Sequence, residues 1–302
     1  MVKEIIHIFR ARGFAGVTRA ILLRLQRVLA RRAKSFQACE SLFVGKTGIE
    51  VGGPSQVFAK YGIFPVYPIV GHLDNCNFNN TTVWEGEIKQ GQTFQFDRKK
   101  PKGRQYIAEA TAMGCIASGT YDFVLSSHVL EHTANPILAL SEWLRLLKNQ
   151  GTLVLLLPHK DKTFDHRRPV TTMEHLIADF KVGVTEDDLT HMPEILALHD
   201  LERDPEAGDS ASFQARSMQN FENRCFHHHV FDTALAINLV NYLGLQIQVV
   251  EEIRPHHILL LAIKATTEER AHSFCSPLAK PYQSKVEFNP RKEALHEEIE
   301  IY

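Results

Sequence analysis

No stretch of this chain offers the ~20 consecutive apolar residues that a membrane-spanning helix needs. Arg10, Arg12 and Arg19 also interrupt the N-terminal segment, so the apolar core of a secretory leader is missing there. The five cysteines, Cys39, Cys76, Cys115, Cys225 and Cys275, never form a CxxC pair and are odd in number, which argues against a disulfide framework or a zinc knuckle. A surplus of one charge is lacking too: 34 Lys and Arg against 35 Asp and Glu leave a formal net charge of -1, without the basic footprint of a polyanion binder. There is no internal repeat. These absences predict a cytoplasmic, soluble protein with no transmembrane segment and no nucleic-acid partner; they leave the oligomeric state open.

What is present is a chain of 302 residues, 44% apolar and 23% charged, enough to bury a full core in one large domain with insertions. Within residues 1–40, Phe14, Val17, Ile21, Leu25 and Val28 recur at helical spacing, with Arg24, Arg27, Arg31 and Arg32 largely on other faces. This predicts a basic amphipathic helix that packs on the domain or contacts an anionic membrane surface or partner. Residues 41–265 form the expected main domain, in which short apolar runs alternate with helical stretches, the mark of a mainly parallel sheet with crossover helices. The clearest strands are Gly48–Val51, Tyr121–Ser126 and Thr152–Leu157, with a helix at Pro136–Leu147 between the last two. Phe231–Tyr242 reads as a helix, and Leu245–Val250 and His257–Ile263 as a hairpin turning at Pro255. The polar segment 159–226 is too long for a loop and is expected to be an acceptor-side insertion with its own helices. Residues 266–302 read as a charged peripheral tail.

The strand Gly48-Ile49-Glu50-Val51 runs into Gly52-Gly53-Pro54-Ser55, where glycine permits a tight turn and lets a ligand approach the backbone before a following helix. An acid some ~20 residues on, an acidic–alanine pair at a later strand end and the terminal hairpin follow in order. So does Tyr121-Asp122-Phe123-Val124-Leu125-Ser126-Ser127-His128-Val129-Leu130-Glu131-His132, then Trp143–Lys148, Gly151 and Leu157-Pro158. Over residues 47–264 this ordered set resembles the class I, Rossmann-like S-adenosylmethionine-dependent methyltransferases. The resemblance implies an α/β fold with a mainly parallel sheet, an antiparallel edge hairpin at its C-terminal end and a helical insertion after the fifth strand. It also implies S-adenosyl-L-methionine as cofactor. Glu50 would sit near the methionine amino end, Gly52, Gly53, Pro54 and Ser55 would form the cofactor turn, Asp74 would take the ribose hydroxyls, Glu109 and Ala110 would flank adenine, and Ser127 and His128 would line the pocket. The departure is the turn, where Gly-Gly-Pro-Ser replaces spaced glycines.

Sixteen histidines is a high count, and many crowd the acceptor side. His128, Glu131 and His132 stand at i, i+3 and i+4, which a helix would present on one face, and His159 at the next strand end would complete a divalent-metal site. That arrangement is similar to the one used by small-RNA 2′-O-methyltransferases. Alternatively, His159, His166 and His228 are candidates for the base that takes a proton from an acceptor hydroxyl, because imidazole titrates near neutrality. The His/Asp/Arg-rich insertion points to O-methylation of a sugar-like or other polyol acceptor, a small molecule or glycan whose hydroxyls demand directional hydrogen bonds. The alternatives are metal-assisted methylation of RNA ribose and a non-catalytic scaffold that keeps the fold.

Overall fold

A computed structural model of the chain describes residues 32–265. Most of the expected N-terminal helix, and the tail 266–302, lie outside the described residues. No helix among the described residues is long and apolar enough to cross a membrane.

An eight-stranded sheet organises the chain. Its strands, in sequence order, are β1 (Thr47–Val51), β2 (His72–Asn77), β5 (Gly91–Phe94), β6 (Gly103–Ile107), β7 (Tyr121–Ser127), β8 (Leu147–Pro158), β9 (Leu245–Ile253) and β10 (His257–Lys264). A two-stranded ribbon, β3 (Thr81–Thr82) with β4 (Gly86–Glu87), lies outside it. The spatial order is β5-β6-β2-β1-β7-β8-β10-β9. β6, β2, β1, β7 and β8 are mutually parallel, and β10 returns antiparallel to β8 with β9 on its outer edge. The antiparallel hairpin at the end of the domain is thus in place, and the sheet is the mainly parallel one expected. β1 is flanked by β2 on one side and β7 on the other, so the strand order reverses there. The crevice beyond the carboxyl ends of such strands is where open α/β sheets bind ligands.

The two faces of the sheet are covered differently. On one face, Leu153, Leu155 and Leu157 of β8 and Ile258 and Leu260 of β10 pack against α2 (Pro136–Leu146) and α7 (Thr233–Tyr242). Each helix has a defined start. Asn135 accepts from the Leu138 amide ahead of α2, with Pro136 in its first turn, and Asp232 accepts from the Leu235 amide ahead of α7. Such caps contribute about 1 kcal/mol apiece.

The opposite face takes the alternate residues Val154, Leu156, Leu259 and Leu261, and is covered mainly by rings. Phe36 in the short α1 (Phe36–Cys39), Phe43, Phe58, Phe64, Tyr67 and Phe96 pack there with Phe123. The crossover helices expected for this part of the chain are a correction. Residues 52–71 make only a 3-10 turn at Gln56–Phe58, and no α-helix joins β2 to β6 or β6 to β7. The cause lies in the sequence: Pro54, Pro65 and Pro68 lack amide donors and disfavour helix in the residue before them, while Gly62 and Gly71 weaken what remains. Edge-to-face contacts then do the packing, with Phe36–Phe64 centroids 5.0 Å apart and Phe43–Phe123 5.4 Å.

Between β8 and α7 the chain forms the insertion helices α3 (Met173–Val182), α4 (Met192–Leu198), α5 (Ser210–Met218) and α6 (Asn220–Asn223). α3 starts on a Thr172 cap and stops at Gly183, which takes the left-handed conformation with φ 75°.

Candidate active site

At the carboxyl ends of β1, β2, β6 and β7 lies a cavity of about 320 Å³. Its size and mixed lining are those of a small-molecule pocket. Of the residues expected to hold the cofactor, Gly52, Pro54, Ser55, Glu109, Ala110, Ser127 and His128 line it. Val51, Cys76, Phe78, Ala108 and Val129 add apolar wall, enough for a flat base, and Asn77 adds an amide at the end of β2. The residues present therefore fit S-adenosylmethionine: an apolar slot and a polar turn at the end of β1 share one cavity.

Glu50, Gly53 and Asp74 are not in the cavity wall. Glu50 is fully buried beneath the turn, where its carboxylate accepts from the Ser55 amide at 3.0 Å and from the Tyr67 hydroxyl. Burial pushes its pKa up to about 7. Its place is that of an anchor holding the Gly52–Ser55 backbone. Asn75 completes the anchorage by accepting from the Gly53 amide at 2.9 Å and donating to the Gly53 carbonyl at 3.0 Å. Two glycines are required here on steric grounds. Gly52 has φ 84°, and a Cβ on it would stand 2.4 Å from Val129 Cγ2; a Cβ on Gly53 would stand 2.3 Å from Glu50 Cδ.

Asp74 sits in the middle of β2, accepting from the Arg104 amide at 2.7 Å and the Tyr121 hydroxyl at 2.7 Å, with His72 Nε2 at 2.8 Å. Those three partners take most of its acceptor capacity at a place outside the cavity wall. The polar side chain at the cavity end of β2 is instead Asn77, whose Oδ1 accepts from Gln105 Nε2 at 3.0 Å and from Asn75. Reading β2 to its end would have found it.

The rest of the wall combines residues at the strand ends with residues from the segment between β8 and α7. Arg224, just past α6, reaches Glu109 at the end of β6 and Glu186 before α4, each at 2.7 Å, and lies over the rings of Phe78 and Phe221. Burial raises the pKa of both carboxyls, and the Arg224 charge works against that. Thr82, Trp84 and Glu85 from the β3–β4 ribbon, Thr133 and His132 complete the wall. His132 meets Trp84 edge-on and places Nδ1 3.1 Å from the Phe226 carbonyl, so Nδ1 carries the proton and Nε2 the lone pair. Burial, then the neighbouring His227, holds its pKa down at about 4.

Behind this wall the histidines form nests. Glu131 is fully buried with neither oxygen hydrogen-bonded and lies 3.3 Å from His128 Nδ1; burial raises its pKa, but His128, His132 and His227 together hold it below the usual value. His227 contacts Asp165, which overcomes the effect of burial and raises the imidazole pKa. Asp165 also pairs with the buried Arg168 at 2.9 Å. His128 adopts the left-handed conformation, φ 55°, at the end of β7, and its Nε2 lies 2.8 Å from His257 Nδ1. A non-glycine residue held this way beside a cavity is strain of the kind that clusters at functional sites.

The three histidines expected as bases are not brought together, and none lines the cavity. His159 turns to Asp161 and Glu252, 3.9 and 4.0 Å away. His166 pairs with Asp200 at 2.8 Å, and His228 is buried against the Asn220 amide at 3.2 Å. The expected metal set is likewise divided. Leu130–His132 is a 3-10 turn, not a helix, and Glu131 and His132 converge with His227, His128 with His256 and His257, while His159 joins neither group.

Residues 74–155 match the family described as "Methyltransferase domain". No curated protein matches the sequence. Among solved structures, a SAM-dependent methyltransferase from Aquifex aeolicus is similar at 11% identity and TM-score 0.41, over 80% of this chain and 93% of that one. A SAM-dependent methyltransferase from Methanosarcina mazei is similar at 15% identity and TM-score 0.42, over 73% and 92%. The trans-methyltransferase CalH, solved in complex with SAH, is similar at 16% identity and TM-score 0.40, over 73% and 52%.

Proposed function

We propose that this chain, whose residues 74–155 match a methyltransferase-domain family, is a class I, S-adenosylmethionine-dependent methyltransferase that moves a methyl group onto a hydroxyl of a sugar-like or other polyol small molecule. The observation that carries the reading is the polar part of the cavity wall, which in this reading faces the acceptor. Glu85, Glu109, Glu186, Arg224, Thr82 and Thr133 offer directional hydrogen bonds around one cavity, and Trp84 offers a ring against which the apolar face of a sugar can pack.

In this reading Gly52, Pro54, Ser55, Asn77, Ala110, Ser127 and His128 hold the cofactor, with Glu50, Gly53 and Asn75 fixing the turn from below. Bound there, the cofactor supplies an electrophilic methyl on a sulfonium. The chain's own residues do the rest. Arg224 and its two carboxylates position the acceptor, and alignment of nucleophile and methyl group is a large part of the barrier in such a displacement. His132 keeps Nε2 unprotonated at neutral pH, so it accepts the hydrogen bond of the acceptor hydroxyl and receives its proton as the new bond forms. His159, His166 and His228 have structural roles. The reducing cytoplasm suits the four described cysteines, Cys39, Cys76, Cys115 and Cys225, all of which are free thiols.

Methylation of RNA ribose is the competing reading, and the Glu131–His132–His227 group is the place a metal would serve it. Electrostatics disfavours it. Three glutamates line the cavity beside Arg224, and the basic tract Arg98–Arg104 leads into the start of β6, at the end of the strand opposite the cavity.

The test has two stages. Calorimetry with S-adenosylmethionine and S-adenosylhomocysteine should give micromolar binding that Asn77→Ala weakens. Transfer of labelled methyl should then be compared across glycans, nucleotide sugars, phenols and short RNA. Turnover confined to phenols or RNA refutes the polyol assignment, and absence of cofactor binding restores the scaffold alternative.

A further inference from the structure

A second cluster lies in the insertion, outside the cavity. His175 and Asp179 stand at i and i+4 on one face of α3, His191 immediately precedes α4, and His229 lies on the segment that returns to α7. One ligating atom from each of the four lies within 4.8 Å of every other. His175 Nε2 is 3.1 Å from His191 Nε2 and 3.2 Å from Asp179 Oδ2, while His229 Nε2 donates to the Ala134 carbonyl at 3.1 Å and so leaves Nδ1 as the ligating nitrogen. With Zn–N and Zn–O bonds near 2.0–2.1 Å, the ligand atoms of a tetrahedral ion stand about 3.3–3.4 Å apart. The His175–His191 and His175–Asp179 separations lie just short of that edge.

Two further observations occur together in this cluster, whereas each of the other two histidine groups shows one of them. Asp179 Oδ2, at its centre, and His229 Nδ1 are buried without a hydrogen-bond donor or acceptor of their own. Two imidazole Nε2 atoms also face one another, which only one shared proton could reconcile unless a cation lies between them. We propose that His175, Asp179, His191 and His229 bind a divalent transition-metal ion of tetrahedral preference, Zn2+ above others, in a closed structural site. Three imidazoles and one carboxylate are a borderline-soft donor set that suits Zn2+ and leaves no position for a substrate.

Its role follows from its neighbours. His229 donates its backbone amide to the Glu131 carbonyl, and Asn135 Nδ2 donates to the Asp179 carbonyl at 3.3 Å. The Glu131–Asn135 turn, which supplies His132 and Thr133 to the cavity, is therefore tied directly to the ligand-bearing segments. The ion staples α3, the start of α4 and the return to α7 to the back of the cavity wall.

The full chain, purified without an affinity tag or chelator, should contain about one equivalent of zinc by elemental analysis. Stripped protein titrated with Co2+ should show the intense visible absorption of a four-coordinate site. Asp179→Asn and the double variant His175→Ala/His191→Ala should weaken Zn2+ binding at least about 100-fold in competition with a chromophoric chelator, a loss no smaller than that of removing an outer-sphere partner. Glu131→Gln and His257→Gln, in the other two histidine groups, should bind Zn2+ as the native chain does. Three results overturn the proposal: native protein without metal and without the Co2+ spectrum, an unchanged affinity in well-folded Asp179→Asn, or loss of the ion in Glu131→Gln or His257→Gln alone. A hydrogen-bonded His–His–Asp network gives the first of these. None of the readouts depends on methyl transfer, so the outcome is separate from that of the functional test.

Discussion

Glu50 offers a perturbation whose sign and size both follow from its surroundings. Its side chain is fully buried, and burial raises its pKa from 4.5 to about 7 even though Ser55 and Tyr67 donate to it. Between those values the native state keeps a proton that the unfolded chain has released. Stability from this group is therefore complete below pH 4.5, falls as pH rises, and levels off above 7. At about 1.4 kcal/mol per pH unit, the loss over the window is roughly 3 kcal/mol. Glu50→Gln keeps the shape and removes the titration. Urea unfolding of both proteins at several pH values from 4.5 to 8, followed by the fluorescence of the buried Trp143, should show the variant gaining on the native chain by roughly that amount. Other titrating groups act equally on both proteins and cancel in the difference. Parallel pH profiles would show that Glu50 is ionised at no net cost, and the description of it as a buried anchor would fail.

Three other outcomes are expected. Arg224→Ala strips the counter-charge from Glu186, which is buried, and from Glu109; thermal or urea unfolding should show a loss of about 3 kcal/mol, and a loss below about 0.5 would mean that the ion pairs do not fasten the insertion. Asn75→Ala deletes both hydrogen bonds to Gly53 and should destabilise by about 2 kcal/mol while weakening cofactor binding; calorimetric affinity equal to that of the native chain would show that Glu50 and Tyr67 alone hold the turn. His227 should titrate above the usual histidine range in NMR spectra of its ring nitrogens, so its contribution to stability is whole below pH 6.5 and lost as pH rises through the raised value. Asp165→Asn should move that titration downward, because burial and Arg168 are then opposed by Glu131 alone; no movement would separate the two residues.

The elements legible in the sequence are those written in a local period. β1, β7, β8, α2 and the β9–β10 hairpin announce themselves through alternation, helical spacing and caps, and the Gly52–Ser55 turn through its glycines. The run 52–71 misleads because Phe58, Phe64, Val66 and Tyr67 supply the apolar weight of a crossover helix, while the prolines among them forbid one. Asp74 and Asn77 differ by three positions on one strand, and which of them reaches the cavity depends on where β2 ends, a fact set by its pairing with β6. The histidines are legible as a crowd, and local spacing groups them differently from the fold. Their sorting into groups requires contacts such as His132 with His227 and His175 with His191 and His229, and these are created by folding the insertion back on the sheet. Arg224 carried no local signal at all; its importance comes from Glu109, 115 positions away.

The unlike coverings of the sheet imply unlike histories of change. A face of leucines under α2 and α7 accepts exchange among aliphatic residues of similar volume, because no contact there depends on direction. The ring layer is directional: Phe43 meets Phe64 and Phe123 nearly at right angles, and an aliphatic side chain in any of those places leaves a gap that neither neighbour can turn to fill. Drift should therefore accumulate on the helical face and stall on the aromatic one, so a library of random variants selected for folding would record the two sides of one sheet as two different densities of survivors.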